Sequence, residues 1–160
     1  TSGGVSVGEA DFVREILGRM GEVLFWKIAM KPGRPLAYGR VGNAHFFGLP
    51  GNPVAVMVTF YQFVRDALMV LQGRRELPVV PTFTARLAMP VRKTPGRVEF
   101  QRGILSADDQ GGYSVRPTGD QGSGILSSMS RANCFIVLPL ECGNVEPGAM
   151  VEVQLLEGLI

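Results

Sequence analysis

The sequence predicts a chain in two parts: an α/β first half, then a small, mainly antiparallel β-barrel or sandwich. Three observations point there. Apolar residues recur at helical spacing through residues 12–20 and lead into a short, almost continuously apolar run, EVLFWKIAM (22–30). Residues 52–73 carry a long, apolar helical pattern. Beyond RRELPVVP (74–81), the pattern changes to short alternating runs separated by glycine-rich turns. The two prolines and charges of 74–81 place a domain boundary there, dividing the chain into residues 1–75 and 76–160.

Each element has its own reason. TSGGVSVGEAD (1–11) is a glycine- and serine-rich loop running into an acidic helix start. Phe12, Val13, Ile16, Leu17 and Met20 make the first helix, and Gly21 stops it. EVLFWKIAM reads as a strand buried on both faces, as in a parallel or mixed sheet. PLAYGRV (35–41) and AHFFGL (44–49) flank Gly42-Asn43, a two-residue hairpin signal. Asn52 suits an N-cap and Pro53 the first helical position, and the helix is expected to be buried up to Val64. TFTARLAM (82–89) alternates, with Phe83, Ala85, Leu87 and Met89 on one face. RVEFQRGIL (97–105), YSVRP (113–117), CFIVLPL (134–140) and MVEVQLL (150–156) follow as strands, with a short helix within 124–132.

Composition narrows the function classes. The 160 residues are 46% hydrophobic with a net charge of +2. That core is ample, and the charge is too weak and scattered for a nucleic-acid binder. Cys134 and Cys142 have no histidine nearby, the only one being His45, so no zinc-ligand spacing is present. A reduced, cytoplasmic protein is expected, with a single disulfide as the alternative. No apolar run is expected to approach the ~20 residues that span a membrane.

Several residues carry chemical meaning. Ser2, Gly3, Gly4 and Ser6 suit a loop that cradles an anion; an ordinary strand-to-helix turn is the plain alternative. Asp11 is either a capping carboxylate or a Mg²⁺ ligand. Lys27 interrupts an apolar strand, and an unpaired ammonium there must reach water, a carboxylate or an anion. If that strand runs through residue 31, Lys27 and Lys31 share a face and, with Arg34, form a cationic cluster for an oxyanion; snorkelling lysines are the alternative. GLPGNP (48–53), with Pro50, Gly51, Asn52 and Pro53, joins a rigid turn to a helix N-terminus, a ready anion site or simply a well-built helix start. Ser123 in QGSG reads first as a turn serine.

Taken together and in order, TSGGVSVGEAD, FWKIAMKPGRP, FGLPGNPVA, VEFQRG, QGSGILSSMSRANCFIVLP and EPGAMVEV resemble the molybdopterin molybdenumtransferase family (MoeA and the E domain of gephyrin) over essentially the whole chain. The resemblance implies the C-terminal half of a molybdopterin-binding α/β domain followed by a β-barrel domain, hence a C-terminal fragment, inactive alone. It implies insertion of molybdate into adenylated molybdopterin, with release of AMP and use of Mg²⁺, in a cytoplasmic homodimer that can partner a molybdopterin adenylyltransferase. Asp11, Lys27 and Lys31 match the family's catalytic positions, Asp11 also as metal ligand; Pro50, Pro53 and Ser123 match its substrate-binding positions. Arg34 stands where Lys is frequent and keeps the charge. A molybdopterin adenylyltransferase-like enzyme and a gephyrin-like peptide-binding scaffold are the alternatives. Residues 78–160 argue against the first, and no sequence feature demands the second.

Overall fold

The computed structural model describes residues 12–25, 27–109 and 111–156. The chain divides into two compact units. One reaches to Leu77 but excludes Ala29–Lys31; the other runs from Pro78 onward and takes in Ala29–Lys31.

In the first unit, α1 (Phe12–Met20) ends where Gly21 N–H donates to the Leu17 carbonyl. Glu15 and Arg19 pair along its surface, 2.6 Å apart. Gly21 is needed for closeness as well as termination: a Cβ there would run into the Arg40 carbonyl. An antiparallel sheet follows in the order β1 (Glu22–Phe25), β3 (Ala37–Val41), β4 (Ala44–Gly48). The hairpin expected at Gly42-Asn43 forms, with Val41 opposite Ala44. Gly42 has φ +58 and no non-glycine residue has positive φ among those described, the signature of a turn with glycine at its first central position.

The run 22–30 does not form one buried strand. β1 stops at Phe25, pairs only with β3, and leaves Leu24 and Phe25 53% and 40% exposed. It is an edge strand, so its apolar side chains are not covered as they would be inside a parallel sheet.

A continuous helix begins at Pro53, with Asn52 extended at its N-cap. It is built from α2 (Pro53–Thr59), a π-helical turn (Phe60–Val64) and α3 (Arg65–Leu71). The buried stripe runs Val54, Ala55, Val58, Thr59 and then Val64, Arg65. The π turn adds a residue, and the stripe resumes five positions on rather than four. Burial up to Val64 is therefore confined to one face. Pro53–Leu71 is also long and apolar enough, by length and composition, to cross a membrane, with 28% of that window buried. This corrects the expectation that no apolar run approaches that length. Arg65 and Asp66, the charges that break the run in sequence, lie side by side, with Arg65 Nε 2.8 Å from Asp66 Oδ1.

The second unit is a closed barrel. Its strands are β5 (Thr82–Leu87), β6 (Val98–Ala107), β7 (Tyr113–Pro117), β8 (Cys134–Leu138) and β9 (Met150–Leu155). They run β6-β7-β5-β9-β8 and back to β6. Neighbours are antiparallel except β5 and β7. The alternation in 82–89 holds within β5, where Ala85 and Leu87 enter a core with Val115, Ile136, Leu138 and Val153; Met89 lies past its end and is exposed. A short α4 (Leu126–Arg131) precedes β8. One strand comes from the first half of the sequence: β2 (Met30–Lys31) pairs in parallel with the start of β6.

Candidate functional site

The expected cationic strand is split. Lys27 follows β1 in irregular backbone and is exposed; Lys31 belongs to β2 in the other unit. Local geometry accounts for the break. The Ile28 N–H donates to the Arg34 carbonyl at 3.0 Å, closing a loop over residues 28–34. Gly33 makes the closure possible with φ +107, which a side chain would resist. Arg34 is exposed, and its carbonyl also accepts from Leu36 N–H. Farther along, Pro50 is buried, while Gly51, Asn52 and Pro53 are exposed at the helix start. Ser2, Gly3, Gly4, Ser6 and Asp11 lie outside the described residues. Among those described, no three His, Cys, Asp or Glu side chains converge as a metal site.

Lys31 is the best-defined predicted residue. Its parallel partner in β6 is Glu99. The two side chains form an ion pair, Nζ to Oε1 at 3.3 Å, with Lys31's side chain 45% exposed and that of Glu99 2%. The other carboxylate oxygen, Oε2, accepts from Gln101 Nε2 at 3.1 Å, and Gln101 Nε2 also reaches the Arg92 carbonyl. Ionised carboxylates are rarely buried this deeply without a partner, because desolvation costs several kcal/mol. Here both oxygens are occupied.

Ser123 sits in the turn that β6 also supports. Arg102, 1% exposed, donates from Nε to Ser128 Oγ at 2.9 Å and from Nη2 to the Gly122 carbonyl at 3.0 Å. Its own N–H donates to Gln121 Oε1 at 2.8 Å. Burial pulls the Arg102 pKa below the usual guanidinium value, and the charge of Asp120 opposes it. So a buried cation is packed beneath the turn bearing Ser123, and one strand, β6, holds both that turn and Lys31.

Glu99, Gln101, Arg102 and Gln121 were not singled out from the sequence. The available signal was VEFQRG itself: three polar side chains within a strand whose neighbours are apolar, a pattern that asks for buried partners. His45 stacks on Tyr38 at a polar-aromatic surface, with Tyr38 Oη 2.8 Å from its Nδ1. Cys134 and Cys142 are both free thiols, which removes the disulfide alternative.

Comparison with known proteins adds context. Residues 1–70 match the model of a probable molybdopterin binding domain, and residues 84–156 that of the MoeA C-terminal region (domain IV). The chain is 49% identical over 154 residues to a molybdopterin molybdenumtransferase of Haemophilus influenzae, covering 96% of this chain and 38% of that protein. It is 35% identical to gephyrin of Dictyostelium discoideum, covering 98% of this chain and 25% of that one. Among solved structures, the molybdopterin biosynthesis MoeA protein from Pyrococcus horikoshii superposes with a TM-score of 0.73 at 30% identity, over 93% of this chain and 36% of that one. The chain thus spans well under half the length of each.

Proposed function

The chain belongs to the molybdopterin molybdenumtransferase (MoeA) family, and from that premise we propose that it serves molybdenum cofactor biosynthesis as part of an enzyme that inserts molybdate into adenylated molybdopterin and releases AMP. Residues 1–75 contribute part of the molybdopterin-binding domain and residues 76–160 its C-terminal barrel domain. The observation that carries the reading is Lys31: a half-exposed ammonium held on a barrel strand by a buried carboxylate, ready to meet an anion.

The chemistry follows from charge. Molybdate, the pterin phosphate and the departing AMP are all anionic, so fixed cations aimed at them lower the barrier most where charge develops. Lys27 and Lys31 act as electrostatic clamps, and Arg34 offers a further cationic contact. The backbone of Pro50–Pro53 and the hydroxyl of Ser123 orient bound substrate, as do Ser2, Gly3, Gly4 and Ser6. Asp11 organises water or holds Mg²⁺, which would supply further charge neutralisation. We also propose a cytoplasmic homodimer, with a molybdopterin adenylyltransferase as its partner.

The test is AMP release by the full-length protein from adenylated molybdopterin with Mg²⁺, with and without molybdate. Release coupled to molybdate, together with formation of active cofactor, is expected. Release that ignores molybdate, or none at all, would sink the reading.

A further inference from the structure

Glu99 is out of place by the ordinary logic of a barrel. In an antiparallel pair, residues directly opposite share a face. Glu99, Gln101 and Gly103 stand opposite Leu138, Ile136 and Cys134, and all three of those belong to the apolar core. Gly103 confirms the direction, since a Cβ there would meet Cys134 Sγ, Ile136 Cγ1 and Val115 Cγ2. Glu99 therefore faces the barrel interior, at the end of β6 where β2 joins.

An apolar residue would fill that position at less cost. Replacing a buried ion pair by hydrophobic residues is often neutral or stabilising. The pair is also lopsided: the carboxylate is almost fully buried and the ammonium only half so. Such an arrangement does little for the core but fixes one end of a flexible four-carbon side chain. An ammonium has three N–H donors. Glu99 takes one, and the remainder stay available on the exposed side.

We infer that Glu99 is a positioning residue that holds Lys31 Nζ in place for its anionic ligand. The inference rests on the reading of Lys31 as an oxyanion clamp and deepens it. Glu99 has two opposed effects. Its negative charge weakens attraction between the site and a free oxyanion. Its hydrogen bond removes the freedom of Lys31 to wander from the reacting position. Holding the group matters most in the transition state, where small displacements are costly. Loss of Glu99 should then lower kcat without raising KM for molybdate, a split that a general loosening of the fold does not produce.

The experiment uses the full-length protein, comparing wild type with Glu99→Gln, Lys31→Met and the double variant. Molybdate-dependent cofactor formation gives kcat and KM, and calorimetry gives molybdate affinity. Glu99→Gln is expected to lose about tenfold in kcat, with KM and molybdate affinity unchanged or improved. In the double variant the Gln substitution should add nothing to the loss caused by Lys31→Met, because Glu99 acts only through that lysine. If Glu99→Gln does not fold, Glu99→Asp keeps the buried charge, retracts it by one methylene and should lose kcat in the same direction. Unchanged kcat in a folded variant, or losses that multiply in the double variant, would overturn the inference while leaving the parent reading intact. A wild-type protein that neither binds molybdate nor turns over would instead overturn both.

Discussion

Lys27 and Lys31 look alike in sequence and should behave differently when removed. Lys27 is exposed and outside a strand; Lys31 neutralises a buried carboxylate. Alanine at either position in the full-length protein is expected to cut cofactor formation by about tenfold to a hundredfold, the worth of one charge-assisted contact. Only Lys31→Ala should also lower stability, by about 1–3 kcal/mol, because it strips Glu99 of a partner. Thermal melting of the two variants separates them, and equal melting points would show that Glu99 does not depend on Lys31. The cysteines diverge in the same way. Burial pushes the Cys134 thiol from an ordinary 9.0 up to about 12. Below pH 9 both folded and unfolded chains keep that proton, so Cys134 adds no pH dependence. Between pH 9 and 12 the unfolded chain loses a proton the folded one retains, and stability falls as pH rises. Cys134→Ala should flatten that alkaline slope in urea titrations. At pH 8 a thiol reagent should modify the partly exposed Cys142 promptly and Cys134 only after unfolding.

Among the elements, β1 and β3 approach closely at Gly39. A Cβ at Gly39 would strike the Glu22 carbonyl, a backbone atom that cannot yield without parting the strands. Gly39→Ala is expected to cost about 1–3 kcal/mol and to remove hydrogen-exchange protection from the β1 amides; retained protection would show that the strands can shift to admit a methyl. Elements governed by local rules were legible in the sequence. The Gly42-Asn43 hairpin, the Pro53 helix start and the alternation of β5 each depend on neighbours within a few residues. EVLFWKIAM was not, because whether an apolar run is buried depends on which strand lies beside it. Nor was the pairing of Lys31 with Glu99, 68 positions apart; VEFQRG signalled buried polar groups without naming the partner. The π turn was equally hidden, since Phe60–Val64 carries no proline or glycine to mark it.

For the molecule as a whole, barrel closure makes the second unit the part that should stand by itself. Its five strands leave no open edge apart from the start of β6, which β2 occupies. Residues 78–160 expressed alone should unfold cooperatively in urea. In that piece Glu99 lacks Lys31, so Glu99→Gln should raise the urea midpoint by the equivalent of about 1 kcal/mol, whereas in the full chain it should not. A midpoint that does not rise in the isolated barrel would mean that Glu99 is stabilised without the lysine.

The seating of β2 on β6 also bears on how such proteins can be recombined. A junction at Leu77 and Pro78 looks ideal for exchanging barrels between relatives, since it cuts no barrel strand between β5 and β9. Yet Ala29–Lys31 travels with the other parent. Every chimaera made there inherits its lysine from one ancestor and its glutamate from another. Only parents that agree at both positions yield a hybrid with a neutralised barrel end; any other cross leaves an uncompensated charge at the seam. Shuffled libraries should therefore show linkage between residues 31 and 99 across a boundary where free assortment would otherwise be expected.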